Sequence, residues 1–507
     1  MANDCDANFP WREAISDCII DGAIDLAELS DESLVEAFAL AGIEVILGEI
    51  IADVIESDDE SDNHPPQKRT RKRKEKIDYS TTHWGKLVSS EDVWDPTTDM
   101  GSEWKKRYRL PFPVFHDVLL PLCIERNVFG VAKHANKARV PIEIKLMMVL
   151  RLCSRSAVID DVAEMSEGKK STVLAVFKQF FRNFVHVAFT EFVYFPTGDQ
   201  LFATMAIYCT LGYPGAAGSM DVTKVWWERC PAILRHECIG KEGKPMLGFN
   251  TIVNHNHQIF HVSRYFYGKT NDITVSRNDS IPIQIENGLL SSITFFLYLA
   301  GSALLLKCFG AWIITDGGYP KNAIYVNPMA ERVDYESVLW SEWLESVRKD
   351  VECTFADLKN VWRILKYGVP YSDPHDVECI FKTCCIFHNM VLMYDGRSLA
   401  GWEADWEHYD PVTETFIQPI SSPLPLPVDQ LPENVSIAAV QQLLGTHEDG
   451  FLEMDPEVRS DHKLFRNKLR DSFAEQYRRR QVKWPRGMKN NHRRAVERIM
   501  NRVDDAF

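Results

Sequence analysis

Three acidic residues stand where a carboxylate can do chemistry as well as solvate a surface. Asp221 follows Gly218-Ser219-Met220 at the start of a strand-like stretch, 219–226. Asp316 follows the apolar run 311–315 and precedes Gly317 and Gly318, so the side chain can enter a cleft while the backbone turns away. Glu352 adjoins an apolar stripe of Val351, Phe355, Leu358, Trp362 and Leu365, at i, i+4, i+7, i+11 and i+14. That puts it at the edge of the buried face of a helix. Three anions converging on one cleft repel each other unless divalent cations neutralise them. Mg²⁺ (or Mn²⁺) takes hard oxygen ligands, a few of them carboxylates. Two such ions ~3.5–4 Å apart activate a water or a hydroxyl and stabilise a leaving oxygen. Taken singly, either Asp reads better as a helix cap or a surface charge. Their joint placement carries the metal reading.

The elements that must position them read as mixed α/β over roughly 218–389. Strands are expected at 219–226, 249–254 and 259–266, with Asn254, His255, Asn256 and His257 as the turn between the last two. A further strand at 311–315 and a helix at 345–366 follow. Three strands, a helix, a strand and then helices is the order of a ribonuclease-H-like sheet. Between the strands, 289–306 is 18 residues without a charge, the lower limit for a membrane span. Its Ser291, Ser292, Thr294, Gly301 and Ser302 favour instead a buried core helix leading into a strand.

Upstream, 104–189 is helical in pattern. Pro141 can open one helix, 159–165 forms a second, and Ser166 with Gly168 makes a turn into a third at 169–184. The third has Val173, Val176, Phe177, Phe180, Phe181 and Phe184 on one face. Its first turn presents Lys169, Lys170 and Thr172, candidates for DNA contact if the pair is a helix-turn-helix. A plain helical bundle fits the pattern as well.

Charge is segregated. The chain of 507 residues carries a net −15, an argument against a nucleic-acid partner taken alone. Yet residues 1–64 hold 18 acids and one Arg, so the rest is close to neutral. Within the acidic end, 31–56 reads as an amphipathic helix. Residues 68–76 hold seven Lys or Arg, with Lys68, Arg69, Arg71, Lys72, Arg73 and Lys74 as a nuclear-localisation patch. Residues 459–502 hold 15 Lys or Arg against four acids. The 12 cysteines are scattered, without a CxxC pair or a secretory signal, as expected of a reducing compartment. Cys384, Cys385 and His388 are grouped, but no second ligand pair lies nearby, which favours buried small residues over zinc.

With those residues in view, a family resemblance emerges. GSMDVTKVWW (218–227), YGKTNDITVSRNDS (267–280), ITDGGYP (314–320) and RKDVECTFADLKNVWRILK (348–366) resemble, in order, segments of PIF/Harbinger-type transposases, including their plant-transposon branch. CCIFHNM (384–390) looks like the family's terminal helix, and RYRLPFPVF (107–115) is similar to its N-terminal region. VKWPRG (482–487) resembles related elements more faintly. The likeness spans roughly 100–395. Lys224 stands where the family often has His, Ala356 where Gly is frequent, and Val361 where Arg is usual.

The resemblance implies that Asp221, Asp316 and Glu352 are catalytic and metal-binding, with two Mg²⁺ or Mn²⁺ ions. It implies cleavage at terminal inverted repeats and strand transfer to target DNA. Asp272 recurs in the motif as a secondary site residue, with a loop role favoured, and Lys359 and Arg363 are further candidates for DNA contact. A Myb-like accessory protein and a homo-oligomer are implied partners beside double-stranded DNA, a membrane is not, and the nucleus is the expected compartment. The alternative is a domesticated, non-catalytic DNA-binding or scaffold protein. The expected organisation is an acidic, disordered arm with the basic patch (1–99), a helix-turn-helix-like region (100–200), the ribonuclease-H-like nuclease (201–395), an acidic Pro-rich linker (396–457) and a basic helical tail (458–507).

Overall fold

The strand that carries Asp221 contains Val222, Thr223 and Val225, whose branched side chains suit a pleated, half-buried surface. A computed structural model describes residues 77–130, 140–396, 409–410, 415–416, 418–423, 425–432, 435–484 and 500–501. The acidic segment, the 68–76 patch and residues 485–499 lie outside the described residues. The strands are β1 (Ala216–Trp226), β2 (Met246–Val253), β3 (Ile259–Val262), β4 (Phe266–Tyr267), β5 (Thr294–Tyr298), β6 (Leu305–Phe309), β7 (Trp312–Ile314) and β8 (Tyr325–Val326). The main sheet has the order β3-β2-β1-β7-β8, with β4 also on β2. β1 pairs antiparallel with β2 and parallel with β7, and β7 pairs parallel with β8. β2 is buried along its whole length, as its nearly continuous apolar run requires. The strand expected at 259–266 is interrupted: β3 and β4 both pair with β2, with exposed Arg264 between them.

The uncharged run 289–306 is not a helix. It contains β5 and the start of β6, an antiparallel pair in register from Thr294↔Phe309 to Tyr298↔Leu305. Absence of charge does not distinguish a buried helix from a buried hairpin. Local chemistry decides: Thr294, Phe295, Phe296 and Tyr298 favour a strand, and Gly301 (φ 71°) turns the chain.

The helices before the sheet are α1 (Ile142–Arg155), α2 (Ile159–Met165), α3 (Lys170–Phe192) and α4 (Gly198–Thr210). α3 runs two turns beyond the expected end and buries the predicted Phe face. After β4 come α5 (Asp272–Arg277), α6 (Ser280–Glu286), α7 (Tyr335–Val361) and α8 (Pro374–Tyr394). α7 starts ten residues earlier than its apolar stripe suggests, because Asp334 caps it by accepting from the Ser337 N–H at 2.7 Å. By length and composition α8 could cross a membrane, but most of it is buried, and it packs against α3. Two apolar cores flank the sheet. Val338 to Val347 of α7 enter one, and Val351 to Trp362 enter the other. Glu352 therefore lies where the helix passes between cores.

The region expected to be linker contains packed elements. β9 (Tyr409–Asp410) and β10 (Thr415–Phe416) pair with each other. α9 (Ile437–Leu443) buries Ala439, Val440 and Leu443, and β11 (Phe451–Glu453) adds a parallel strand to β6. The basic tail supplies α10 (His462–Arg478), whose Phe465, Leu469 and Phe473 are buried in the core shared by β5 and α7. Gly212 (φ 94°) leaves room for the Phe473 ring, which a Cβ there would meet at 2.4 Å. Two of the tail's cations serve the fold. Arg459 donates to the carbonyls of Phe309, Gly310 and Ala323, and Arg466 to Asn327. All described residues fall in one unit, Lys76–Phe507.

Candidate metal centre

Register brings two of the three carboxylates together. Ser219 of β1 is the partner of Ile314 of β7 in the parallel ladder. Asp221 and Asp316 each lie two residues further on. Strand side chains return to one face every second residue, so both belong to the same side at the end of the ladder. Each is steadied by a backbone donor: Val222 N–H to Asp221 Oδ1 and Gly318 N–H to Asp316 Oδ1, both at 2.8 Å. A third carboxylate joins them. Asp272 opens α5, whose cap is Asn271 accepting from the Thr274 N–H at 2.8 Å. A Cβ added at Gly318 would lie 2.8 Å from Asp272 Oδ2 and 3.1 Å from Asp316 Oδ1. A side chain at 318 would press on both carboxylates.

The electrostatics follow from that crowding. Burial, and then the charges of Asp316 and Asp272, push the Asp221 carboxyl up to about 7, against the Val222 N–H and Arg348. Burial and Asp316 also raise Asp272, while Lys224 and Lys241 oppose the rise. The buried Tyr319 hydroxyl is held well above its ordinary range by burial and by Asp221, Asp272, Asp316 and Asp279.

Glu352 reaches this group through an intermediary. Arg348, one turn earlier on α7, donates from Nη2 to Glu352 Oε1 at 2.6 Å, and its Nη1 lies 3.7 Å from Asp221 Oδ2. Its firmest partner is Glu345, which accepts from Nε at 3.0 Å and from Nη2 at 2.8 Å. Burial works against the Arg348 charge, and Glu345 and Glu352 more than restore it. Among the described residues, no three His, Cys, Asp or Glu side chains are grouped so as to hold a metal ion. The donors of Asp221 and Asp316 suit a hard divalent cation, and a third carboxylate, Asp272, stands beside them. Glu352 is turned to Arg348 instead.

Beneath the carboxylates lies a buried polar chain. Tyr319 donates to Asn250 Oδ1 at 2.9 Å, Asn250 Nδ2 donates to Asp279 Oδ2 at 2.7 Å, and His261 Nε2 lies 2.7 Å from Asp279 Oδ1. The β2–β3 turn anchors the Glu352 helix. His255 is hydrogen-bonded to Asp350, both buried, and His257 lies 3.3 Å from Asp357. Sequence reasoning singled out neither Arg348 nor this chain. For Arg348 a signal existed, the i,i+4 spacing to Glu352 and the i,i+3 spacing to Glu345.

The other candidates fall elsewhere. Lys169 and Lys170 are exposed and Thr172 half-buried at the start of α3, and Lys170 pairs loosely with Asp160 at 3.7 Å. Lys359 Nζ donates to the Lys224 carbonyl at 2.9 Å, and burial lowers its pKa, so its charge is turned inward. Lys224 itself lies 3.4 Å from Glu242. Arg363 is half-buried just before the short helix Ile364–Tyr367. Cys384 and Cys385 are fully buried, and His388 Nε2 lies 2.8 Å from the His257 carbonyl oxygen.

No curated protein and no solved structure matches the chain. Residues 190–399, which hold Asp221, Asp272, Asp316 and Glu352, match the family described as plant transposon protein, a match that supports a transposase-related protein over that span.

Proposed function

We propose that the chain is a divalent-metal-dependent DNA endonuclease of the DDE transposase type, close to the PIF/Harbinger group. It would cleave at terminal inverted repeats and join the freed strand to target DNA. The observation that carries this reading is the pairing of Asp221 with Asp316 at the end of the β1–β7 ladder. The sheet order β3-β2-β1-β7-β8, antiparallel then parallel, supports a ribonuclease-H-like core.

Asp221 and Asp316 would hold the cation, with Glu352 completing the set once it leaves Arg348, and Asp272 adding negative charge beside Asp316. Mg²⁺ or Mn²⁺, when bound, supplies Lewis acidity that acidifies water and stabilises a leaving oxygen. The Val222 and Gly318 amides fix the orientation of the two aspartates before any cation arrives. The buried chain under Tyr319 keeps the floor of the site rigid. The exposed Lys169 and Lys170 offer the start of α3 to phosphate, which would make affinity strongly salt-dependent. The 68–76 patch supports nuclear import. A Myb-like partner and self-association remain part of the proposal by resemblance.

One observation favours a second reading, a domesticated DNA-binding or scaffold protein: Glu352 is engaged by Arg348. Incubating the full chain with terminal-repeat DNA and Mg²⁺, Mn²⁺ or chelator separates the two. Metal-dependent nicks are expected. Binding without cleavage under every metal condition would sink the nuclease reading.

A further inference from the structure

Arg348 sits where a cation is needed and is itself one. Its guanidinium touches two members of the carboxylate set, Glu352 at 2.6 Å and Asp221 at 3.7 Å. Its hold on them is unequal to its hold on Glu345. Glu345 takes a two-pronged bond from Nε and Nη2, whereas Glu352 takes a single bond and remains 46% exposed. A fork-to-carboxylate pair is the stronger and better-oriented arrangement. Glu352 can therefore be surrendered while Glu345 keeps the guanidinium in place.

We propose that Arg348 is a built-in counterion that partly offsets the charges of Asp221 and Glu352 in the metal-free protein and competes with the divalent cation for them. This rests on the metal-site reading above. Loading a cation requires Glu352 to exchange one charge-assisted bond for a metal bond, while Glu345 retains Arg348 beside the site as a positioning residue. No covalent step is involved. The exchange makes metal affinity depend on a residue that is not a ligand, and in opposite directions for its two ends. Removing the guanidinium frees both carboxylates. Removing the Glu345 anchor leaves Arg348 more firmly on Glu352.

The test is calorimetric titration of Mn²⁺ into the full-length chain without DNA. Arg348→Gln is expected to tighten Mn²⁺ binding about tenfold, the scale of a charged hydrogen bond. Arg348→Lys, which keeps the charge but loses the fork, should fall between that and the wild type. Glu345→Gln should weaken binding severalfold, and it keeps the test decisive if Arg348→Gln fails to fold. Unchanged or weaker binding in Arg348→Gln, together with unchanged or tighter binding in Glu345→Gln, would overturn the counterion role. If the wild type binds Mn²⁺ and Asp316→Asn abolishes it, that failure leaves the metal site standing. No Mn²⁺ binding in the wild type or in any of the Arg348 and Glu345 variants removes both readings.

Discussion

Gly318 donates its N–H to Asp316 Oδ1 at 2.8 Å, and the space where its Cβ would be is bounded by Asp272 Oδ2. The glycine is thus a spacer between two carboxylates. Gly318→Ala must push at least one of them aside. Its backbone is not in the left-handed region and the residue is exposed, so the change should cost little stability. Metal-dependent nicking is expected to slow, by up to roughly 100-fold if a carboxylate moves by about 1 Å. Initial rates of metal-dependent nicking against denaturant midpoints would check this. A variant as active as wild type argues against Asp272 and Asp316 sharing one site.

Asp221 makes the protein's behaviour depend on pH. Its folded-state value of about 7 is above the ordinary 3.8. The metal-free fold therefore prefers the neutral carboxyl. That contribution to stability is complete below about pH 4 and is lost as pH rises through 7. Asp221→Asn, which mimics the neutral form, is expected to stabilise the metal-free protein at pH 8 by on the order of 2 kcal/mol and to change little at pH 4. Thermal melts with chelator at both pH values would test it. Cation loading requires the ionised form, so nicking by the wild type should fall as pH drops below 7.

The polar chain under the site should be costly to break. Tyr319→Phe strands Asn250 Oδ1 in the interior, at about 1–3 kcal/mol. Asp279→Ala removes the partner of both Asn250 and His261, for about 3 kcal/mol or more. Urea unfolding measures both. A loss under 0.5 kcal/mol for Asp279→Ala would mean that water replaces the bond.

The tail helix is expected to be part of the fold. The Phe473 ring stacks on Tyr213 at 5.7 Å and is 1% exposed. Phe473→Ala should cost ~3–5 kcal/mol. Truncation before α10 should yield insoluble or protease-sensitive protein, because β5 and α7 lose their cover. A soluble, cooperatively melting truncation would show the helix to be an appendage.

Much of this was legible in the residues, for identifiable reasons. Asp316 announced itself by a strand on one side and glycines on the other. The end of α2 followed from the turn residues Ser166 and Gly168, and the Phe face of α3 from its period. Failure came where burial was read as conformation or where the signal is non-local. The hairpin β5–β6 looked helical because lack of charge reports burial and not conformation. The 437–453 elements looked like linker because their partners, α4 and β6, are far away in sequence. Arg348 was overlooked although its spacings to Glu345 and Glu352 are local; its reach to Asp221, more than 100 residues upstream, is not.

The central claim is that Asp221 and Asp316 form a metal-dependent nuclease centre. The most direct measurement compares nicking and binding of terminal-repeat DNA by wild type and Asp316→Asn in Mg²⁺, with chelator as control. The account predicts nicking by wild type only with metal, and none by Asp316→Asn, with DNA affinity held within about threefold, because the substitution removes a metal ligand rather than a phosphate contact. Undiminished nicking by Asp316→Asn would contradict it.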